Sequence, residues 1–150
     1  MKSVKLSQPA VYSPQVSLAI AQELLQNVQA SSLNRSLATA AVVVDPGGNL
    51  VASARMDGAQ LGAIGLAGDK AFTAVAFGHP TSKWTQSSEP GNKDWGLGAT
   101  LAGRIVVIPG GLPIYHDGQL IGGLGVSGAA ADVDEECAAE ALRATGLEPH

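Results

Sequence analysis

The sequence predicts an α+β domain in which one antiparallel sheet packs against helices. Two observations carry this prediction: three segments show helical hydrophobic periodicity, and five short strand-like runs are joined mainly by tight, glycine-containing turns. Strands joined by tight turns pair antiparallel, whereas parallel strands need long crossover connections. At 150 residues the chain has the length of one ordinary domain, so we expect residues 1–150 to form a single domain.

Two helices and a hairpin are predicted in the first half of the chain. Ser13 and Pro14 are typical of a helix start, and apolar residues then keep helical spacing to about Ala30. The runs AAVVVD and LVASARMD, separated by PGGN, predict a β-hairpin. Residues 59–77 predict a second helix. The apolar residues that share one face of it are Ile64, Ala67, Ala71 and Val75.

Three glycines, Gly62, Gly65 and Gly68, recur every third residue in this second helix. A glycine in a helix interior costs about 1 kcal/mol relative to alanine, so three of them need a reason. Close approach to another backbone or to a ligand would supply one. We interpret them as sites of helix-on-sheet packing.

The second half predicts a long loop, three strands and a helix. Residues 78–98 form a polar segment with both tryptophans, which is typical of a lid or binding element. The last helix begins at Asp132, which has capping-box spacing to Glu135, and it ends before Gly146. The acidic run DVDEE is therefore a helix start rather than a metal site, and we expect Cys137 to be buried. The three strand-like runs are RIVVI at 104–108, LPIYH at 112–116 and LIGGLGVSG at 120–128.

Composition narrows the classes of partner. The chain is 45% hydrophobic but only 4% aromatic, and its formal net charge is −4. Such a chain has no positive field to attract nucleic acid or an anionic membrane surface. A single cysteine excludes an intramolecular disulfide, and no apolar run is long enough for a membrane helix. We expect a soluble, cytoplasmic protein with a small-molecule ligand.

The glycines Gly123, Gly125 and Gly128 spell a dinucleotide fingerprint, G-x-G-x-x-G. The 22 residues after Gly128 hold one helix, whereas that fold needs a further parallel strand with an acidic residue. Ser127 likewise lacks the context of a nucleophile elbow. We interpret Gly122, Gly123 and Gly125 as residues that thin a strand where another backbone comes close.

A set of polar residues and glycines suggests an anion site. Arg55 emerges from a largely apolar strand, where a guanidinium can grip a carboxylate with two hydrogen bonds. Asp57 follows it, and Lys70 on the second helix could add a positive charge. Arg104, which precedes the turn at Pro109, belongs to the same set. Gly110 and Gly111 form a tight turn that we expect to expose its amides. The alternative is a surface arrangement of Arg55 with Asp57 or of Lys70 with its neighbour Asp69.

The histidines do not form a local metal motif, and we predict no metal site made of side chains alone. His116 stands before an Asp-Gly turn, where a solvated histidine is the ordinary expectation. His79 precedes Pro80 in the long loop and could reach a pocket. Either of these two could ligate a haem iron, since one proximal histidine can suffice.

The segments RMDGA, GDKAFTAVAFGHPTS, GGLPIYHDGQLIGGLGVSGA and DEECAAEAL resemble, in this order, the GlcG/HbpS-like family, which includes the C-terminal domain of PduO-type proteins. The resemblance runs from about Ser13 to Leu147. It implies a five-stranded antiparallel sheet in a profilin-like arrangement with helices, and homo-oligomers that are often octamers. The pocket that it implies lies where RMDG, the GDKAFTA helix and the GGxP turn converge. Its residues would be Arg55, Asp57, Lys70, Thr73, Gly110 and Gly111.

The first function that the resemblance implies is binding of haem or a related tetrapyrrole. Arg55 or Lys70 would then pair with the haem propionates. His79 or His116 would be the iron ligand.

The alternative function is that of a cofactor-free enzyme, a tautomerase, hydrolase or dehalogenase. Its substrate would be a small unsaturated or hydroxy carboxylate, such as a muconate-like product of aromatic ring cleavage. Arg55 and Lys70 would hold the carboxylate, and amides near Gly110 and Gly111 would stabilise an enolate. The group that moves the proton would be Asp57, His79 or His116.

Overall fold

The structure, a computed structural model, describes residues 9–150, and this part of the chain folds into three α-helices and a four-stranded sheet. The predicted α+β class is confirmed. None of the described helices is long and apolar enough to cross a membrane. In chain order the elements are α1 Leu18–Asn34, β1 Ala40–Val44, β2 Leu50–Arg55, α2 Ala63–Phe77, β3 Gly111–His116, β4 Gln119–Ser127 and α3 Ala131–Ala144.

The sheet has the strand order β2-β1-β4-β3, and each neighbouring pair is antiparallel, which confirms the predicted β1–β2 hairpin and the antiparallel pairing of residues 112–116 with 120–128. Helices α1 and α3 cover one face, and α2 covers the other. The buried strand β1 shows this division. Ala41 and Val43 pack with α1 and α3, whereas Val42 and Val44 pack with α2.

A fifth strand at residues 104–108 was predicted wrongly. This segment runs without regular structure, because threonine side chains rather than a neighbouring strand take up its backbone hydrogen bonds. Its β-branched composition therefore reflects partial burial and not a place in the sheet. The three contacts are the Val106 amide donating to Thr73 Oγ1 at 3.0 Å, Thr85 Oγ1 donating to the Val107 carbonyl at 2.8 Å, and Thr81 Oγ1 donating to the Ile108 carbonyl at 2.7 Å.

The first helix begins at Leu18, four residues after the predicted start at Pro14, and continues to Asn34. Ser17 is the N-cap, and its hydroxyl accepts a hydrogen bond from the Ile20 amide at 3.2 Å. The preceding residue, Val16, donates its amide to the Ile121 carbonyl at 2.8 Å. Because this bond to β4 needs extended backbone before the cap, it selects Ser17 over Ser13.

The capping box predicted at the start of α3 is not formed. The helix begins at Ala131, and the side chain of its N-cap residue, Ala130, makes no hydrogen bond to the first turn. Glu135 instead accepts a hydrogen bond from the Ser82 hydroxyl at 2.7 Å. The predicted end is confirmed, since Gly146 has a φ of 81° just after the helix, and Cys137 is buried as expected.

Helix α2 lies directly on the backbone of β4, which confirms the close approach predicted for the strand glycines. A Cβ atom at Gly123 would lie 2.5 Å from the carbonyl oxygen of Ala71, and one at Gly125 would overlap the carbonyl oxygen of Ala67. Only glycine leaves room for a helix at this distance.

The glycines of α2 itself do not mediate this contact, so our interpretation of them as packing sites is wrong. A Cβ atom at Gly62 or Gly65 would meet nothing within 4 Å, and one at Gly68 would make only ordinary contact with Val42, at 4.0 Å. On the side of α2 that carries these glycines, no described residue therefore packs closely against the helix.

Lys70 and Asp134 form a buried ion pair that joins α2 to the start of α3. Lys70 Nζ lies 3.0 Å from Asp134 Oδ2 and donates to the Val126 carbonyl at 3.0 Å, and each side chain is 1% exposed. Asp134 Oδ1 accepts from the Ala129 amide at 3.0 Å. Burial lowers the pKa of the lysine and raises the pKa of the carboxyl, while each charge offsets part of the shift of the other. The surface pairing of Lys70 with Asp69, considered above, is not formed.

A second ion pair joins α3 to the end of α1. Arg35 Nη2 lies 2.6 Å from Glu140 Oε1, Arg35 Nη1 lies 2.9 Å from Glu140 Oε2, and the Ser31 hydroxyl donates to the same carboxylate at 2.5 Å. The hydrogen bonds from Arg35 and Ser31 lower the pKa of Glu140 to about 2.

We expect Gly125→Ala to lower the free energy of unfolding by about 3 kcal/mol, because the new methyl group overlaps the Ala67 carbonyl. Urea unfolding followed by circular dichroism measures this loss. The matched control is Gly62→Ala, where the methyl group meets nothing and stability should be unchanged or slightly higher. Equal stabilities of the two variants would contradict the close approach of α2 to β4.

We expect Lys70→Met to cost about 3–5 kcal/mol of stability, because the carboxylate of Asp134 then stays buried without a countercharge. The double variant Lys70→Met/Asp134→Asn should regain most of this loss, since it leaves no buried charge. Urea unfolding of both proteins tests the pair. An equal loss in the single and double variants would mean that packing, and not charge, sets the cost.

The lowered pKa of Glu140 predicts a dependence of stability on pH. Above about pH 5 the ionised carboxylate is paired and stabilises the fold, and this contribution disappears as pH falls towards 2, where the folded protein binds the proton. Glu140→Gln should therefore have a lower Tm than the parent at pH 7, and the difference should shrink between pH 5 and pH 2. A difference that stays constant with pH would contradict this assignment.

Candidate functional site

Four of the predicted site residues, Lys70, Thr73, Gly110 and Gly111, lie together, but in a packed junction. A Cβ atom at Gly110 would stand 2.6 Å from Lys70 Nζ, so the turn closes over the lysine. The Gly111 amide donates to Thr81 Oγ1 at 3.0 Å, and both glycines are buried. The expectation of exposed amides at this turn is therefore wrong, because Thr81 already takes the Gly111 N–H.

Thr73 holds the irregular segment that follows the long loop. Its hydroxyl accepts the Val106 amide at 3.0 Å and lies 3.1 Å from the Arg104 carbonyl and 2.8 Å from the Asp69 carbonyl. These contacts occupy the hydroxyl completely. They make Thr73 a residue that positions Arg104.

Lys70 has no free charge to offer a ligand from its place in the junction. Its ammonium group is paired with Asp134 and hydrogen-bonded to the Val126 carbonyl, and solvent reaches 1% of its side chain. A bound carboxylate would have to displace Asp134 from the interior.

Arg55 and Asp57 lie at the end of β2, and both are exposed. Together with Gln29, Leu33 and Met56 they line a shallow depression. Among the described residues no hydrogen bond or ion pair joins either of them to Lys70. In the described part of the chain, the RMDG motif is therefore not linked to Lys70 of the packed junction by a hydrogen bond or an ion pair.

His116 lies in the turn between β3 and β4, with 63% of its side chain exposed. Its Nε2 atom is 3.4 Å from the carboxylate of Asp117. This is the solvated position that the sequence suggested for it.

His79 belongs to an aromatic cluster at the end of α2, made of Phe77, His79 and Trp84. The ring centroid of His79 lies 4.9 Å from that of Trp84 and 6.2 Å from that of Phe77. The centroids of Trp84 and Phe77 lie 5.2 Å apart, with the rings nearly perpendicular. The sequence pointed to the histidine but not to its contacts with these two aromatic rings. The available signal was the placement of Phe77 and Trp84 within five residues of it, in a chain with few aromatic residues.

The hydrogen bond of His79 fixes its tautomer. Nδ1 lies 2.8 Å from the carbonyl oxygen of Pro80. Because a carbonyl oxygen only accepts, Nδ1 carries the proton, and Nε2 keeps a free lone pair. This is the form of neutral imidazole that binds a metal through Nε2.

Trp84 brings an unsatisfied donor to the aromatic cluster. Its Nε1 atom is buried and has no hydrogen-bond partner in the part of the chain described, and the same holds for the hydroxyl of nearby Ser88. A buried donor without a partner is costly, and such atoms in proteins are usually satisfied by water or a ligand.

A cleft of about 400 Å³ begins beside this cluster at Pro80 and extends along α3. Its charged lining combines Glu135, Glu136 and Glu140 with Arg35 and Arg143, so carboxylates outnumber guanidinium groups. No group of three or more His, Cys, Asp or Glu side chains in residues 9–150 is arranged to hold a metal ion.

Comparison with known proteins agrees with this architecture. The chain is 36% identical over 127 residues to an uncharacterised 15.0 kDa protein of the dhaT-dhaS intergenic region of Citrobacter freundii, which covers 85% of this chain and 89% of that protein. It is 34% identical to the corrinoid adenosyltransferase PduO of the same organism, across 94% of this chain but 43% of PduO. A solved complex of PduOC with haem superposes with a TM-score of 0.86 at 31% identity, covering 91% of this chain and 99% of PduOC.

The family model described as "Haem degrading protein HbpS-like" matches residues 16–143. That range begins just before α1 and ends within α3, so it contains every strand described above. The chain belongs to the HbpS-like family.

Proposed function

We propose that this protein binds haem or a related tetrapyrrole and that His79 is the iron ligand. The observation that carries the proposal is the free Nε2 of His79, held in its metal-binding tautomer beside two aromatic rings. The likeness to the haem complex of PduOC supports the ligand class.

The surroundings of His79 fit a porphyrin. Phe77 is 41% exposed and offers an apolar surface on which the face of a macrocycle can pack. The buried Nε1–H of Trp84 has no partner among residues 9–150, and a polar edge of the ligand that reached it would satisfy this donor. His116 has neither feature, since it lies on a hairpin turn with 63% of its side chain in solvent.

Lys83 is the residue that we propose for the haem propionates. It is exposed and belongs to the same short 3-10 helix, Thr81–Trp84, as the tryptophan of the aromatic cluster. Of the two cations expected from the sequence, Lys70 is held by Asp134, and Arg55 lies at the end of β2.

When bound, haem would supply an iron centre whose properties depend on the axial ligand and its surroundings. His79 would hold that iron through Nε2, and the Pro80 carbonyl would keep the imidazole in the correct tautomer and orientation. Phe77 and Trp84 would exclude water from the face on which His79 binds.

We do not retain the enzyme hypothesis. It required Arg55 and Lys70 to hold one carboxylate while amides of Gly110 and Gly111 faced the substrate. The charge of Lys70 is paired with Asp134 inside the core, and the Gly111 amide donates its hydrogen bond to Thr81.

We also propose that the protein forms a homo-oligomer. Large apolar side chains stand in solvent at several places outside the core, among them Leu61, Trp95 and Leu101. Association of copies would cover them.

Titration of the purified protein with haemin tests the iron ligand. We expect saturable binding with a Soret band, and His79→Ala should abolish this binding or weaken it by at least about tenfold, because the variant removes the proposed iron ligand. His116→Ala is the matched control and should bind like the parent. Loss of the band in His116→Ala, with binding retained in His79→Ala, would contradict the assignment.

Tryptophan fluorescence locates the haem independently. Trp84 and Trp95 are the two tryptophans, so Trp95→Phe leaves Trp84 as the single emitter. Haemin should quench this emission with the same saturation as the Soret band. Saturable haem binding without quenching would place the haem away from the aromatic cluster. The protein would then bind haem, but not through His79.

A further inference from the structure

A second cavity, here called the hairpin groove, opens between the β1–β2 hairpin and the first half of α2. Its volume is about 270 Å³. Val42, Val44 and Ile64 form an apolar floor, while Ser53, Asp69 and Arg104 supply polar groups. The groove is separate from the aromatic cluster, since Gly68 on its wall precedes Phe77 by nine residues, or roughly 13 Å along a helix.

The glycines of α2 keep this groove open. Gly65 and Gly68 both line it, and a side chain at Gly68 would grow towards Val42 on the floor. Neither glycine is required by the packing of the helix on the sheet. Since each costs helix stability, the empty space that they leave is a feature of the site rather than of the fold.

Arg104 presents a fixed guanidinium group at the groove. The group lies over the ring of Phe72 at 3.6 Å from the centroid, and Thr73 holds the backbone of Arg104 through its carbonyl. Among the described residues this guanidinium donates no hydrogen bond, and 46% of the side chain is exposed. An arginine that is oriented in advance and has unused donors is suited to a carboxylate.

Asp69 is the one carboxylate at the groove, and it does not occupy the guanidinium. Its Oδ1 atom lies 3.8 Å from Nε of Arg104, beyond hydrogen-bond distance, and it approaches the Nε position alone. Asp69 therefore weakens the attraction for an anion without blocking the two Nη groups.

We propose that the hairpin groove binds a small carboxylate whose body is flat and apolar. The carboxylate meets the Nη groups of Arg104, and the body lies on Val42 and Val44 against the bare backbone of α2. The volume is slightly below the range of roughly 300–1,000 Å³ common for ligand pockets, so the ligand is a small molecule rather than a porphyrin. This site does not depend on haem binding at His79.

Benzoate is the probe for this proposal, and benzyl alcohol is its uncharged counterpart. Amide shifts of the ¹⁵N-labelled protein should move saturably with benzoate at residues of the groove, and benzyl alcohol should bind at least about tenfold more weakly. Arg104→Gln should weaken benzoate binding by a similar factor. Asp69→Asn should strengthen it about threefold, because the competing negative charge is gone.

The variant Gly68→Leu tests the cavity while leaving Arg104 in place. It should abolish benzoate binding and keep or raise the Tm, since leucine favours the helix and fills only the groove. Gly62→Leu, at the N-cap of the same helix and outside the groove, should bind like the parent.

Three results would overturn the proposal: no saturable benzoate shifts, shifts confined to other parts of the chain, or equal binding by Arg104→Gln and the parent. A change of oligomeric state in Gly68→Leu without benzoate binding to the parent would show that another copy of the chain, and not a ligand, covers the groove. The variant His79→Ala should retain benzoate binding, so the two sites can fail separately.

Discussion

The buried pair of Lys70 and Asp134 is the constraint around which the structure is arranged. A charge buried away from water is costly unless an oppositely charged partner and hydrogen bonds are held close to it. Here the two charges come from different helices, Lys70 from α2 and Asp134 from α3. Lys70 also donates to the Val126 carbonyl of β4, and Asp134 accepts from the Ala129 amide. Two helices from opposite faces of the sheet are thereby joined at the end of β4. The closed turn at Gly110 completes the enclosure.

At the same junction the backbone of α2 lies close to the backbone of β4. Gly123 and Gly125 have no side chains that would hold the helix away from the strand, and alanines of α2 complete the contact. This face of the core is consequently thin where α2 crosses β4. The two proposed sites lie to either side of that contact: the aromatic cluster follows the end of α2, and the hairpin groove lies beside its first half.

Sequence reasoning predicted the α+β class, the hairpins β1–β2 and β3–β4, α2 and the end of α3, because each of these depends on local periodicity or turn residues. It failed at residues 104–108, where β-branched residues suggested a strand but the hydroxyls of Thr73, Thr81 and Thr85 replace the strand partner. It also failed to predict the partner of Lys70, because Asp134 lies 64 residues away in the sequence. For the candidate site it named His79, yet the tautomer set by Pro80 and the contact with Trp84 depend on the fold of the long loop.

The threonine-held segment has a consequence for how this scaffold can diversify. Residues 78–110, which join α2 to β3, contain no strand. Side-chain hydroxyls and short turns hold them, together with the Gly110 carbonyl, which accepts the Val126 amide of β4 at 2.9 Å. That stretch nevertheless supplies His79 and Trp84 to one proposed site and Arg104 to the other. Substitutions within it should therefore change what either proposed site binds, while the strands and the buried ion pair of Lys70 with Asp134 stay in place.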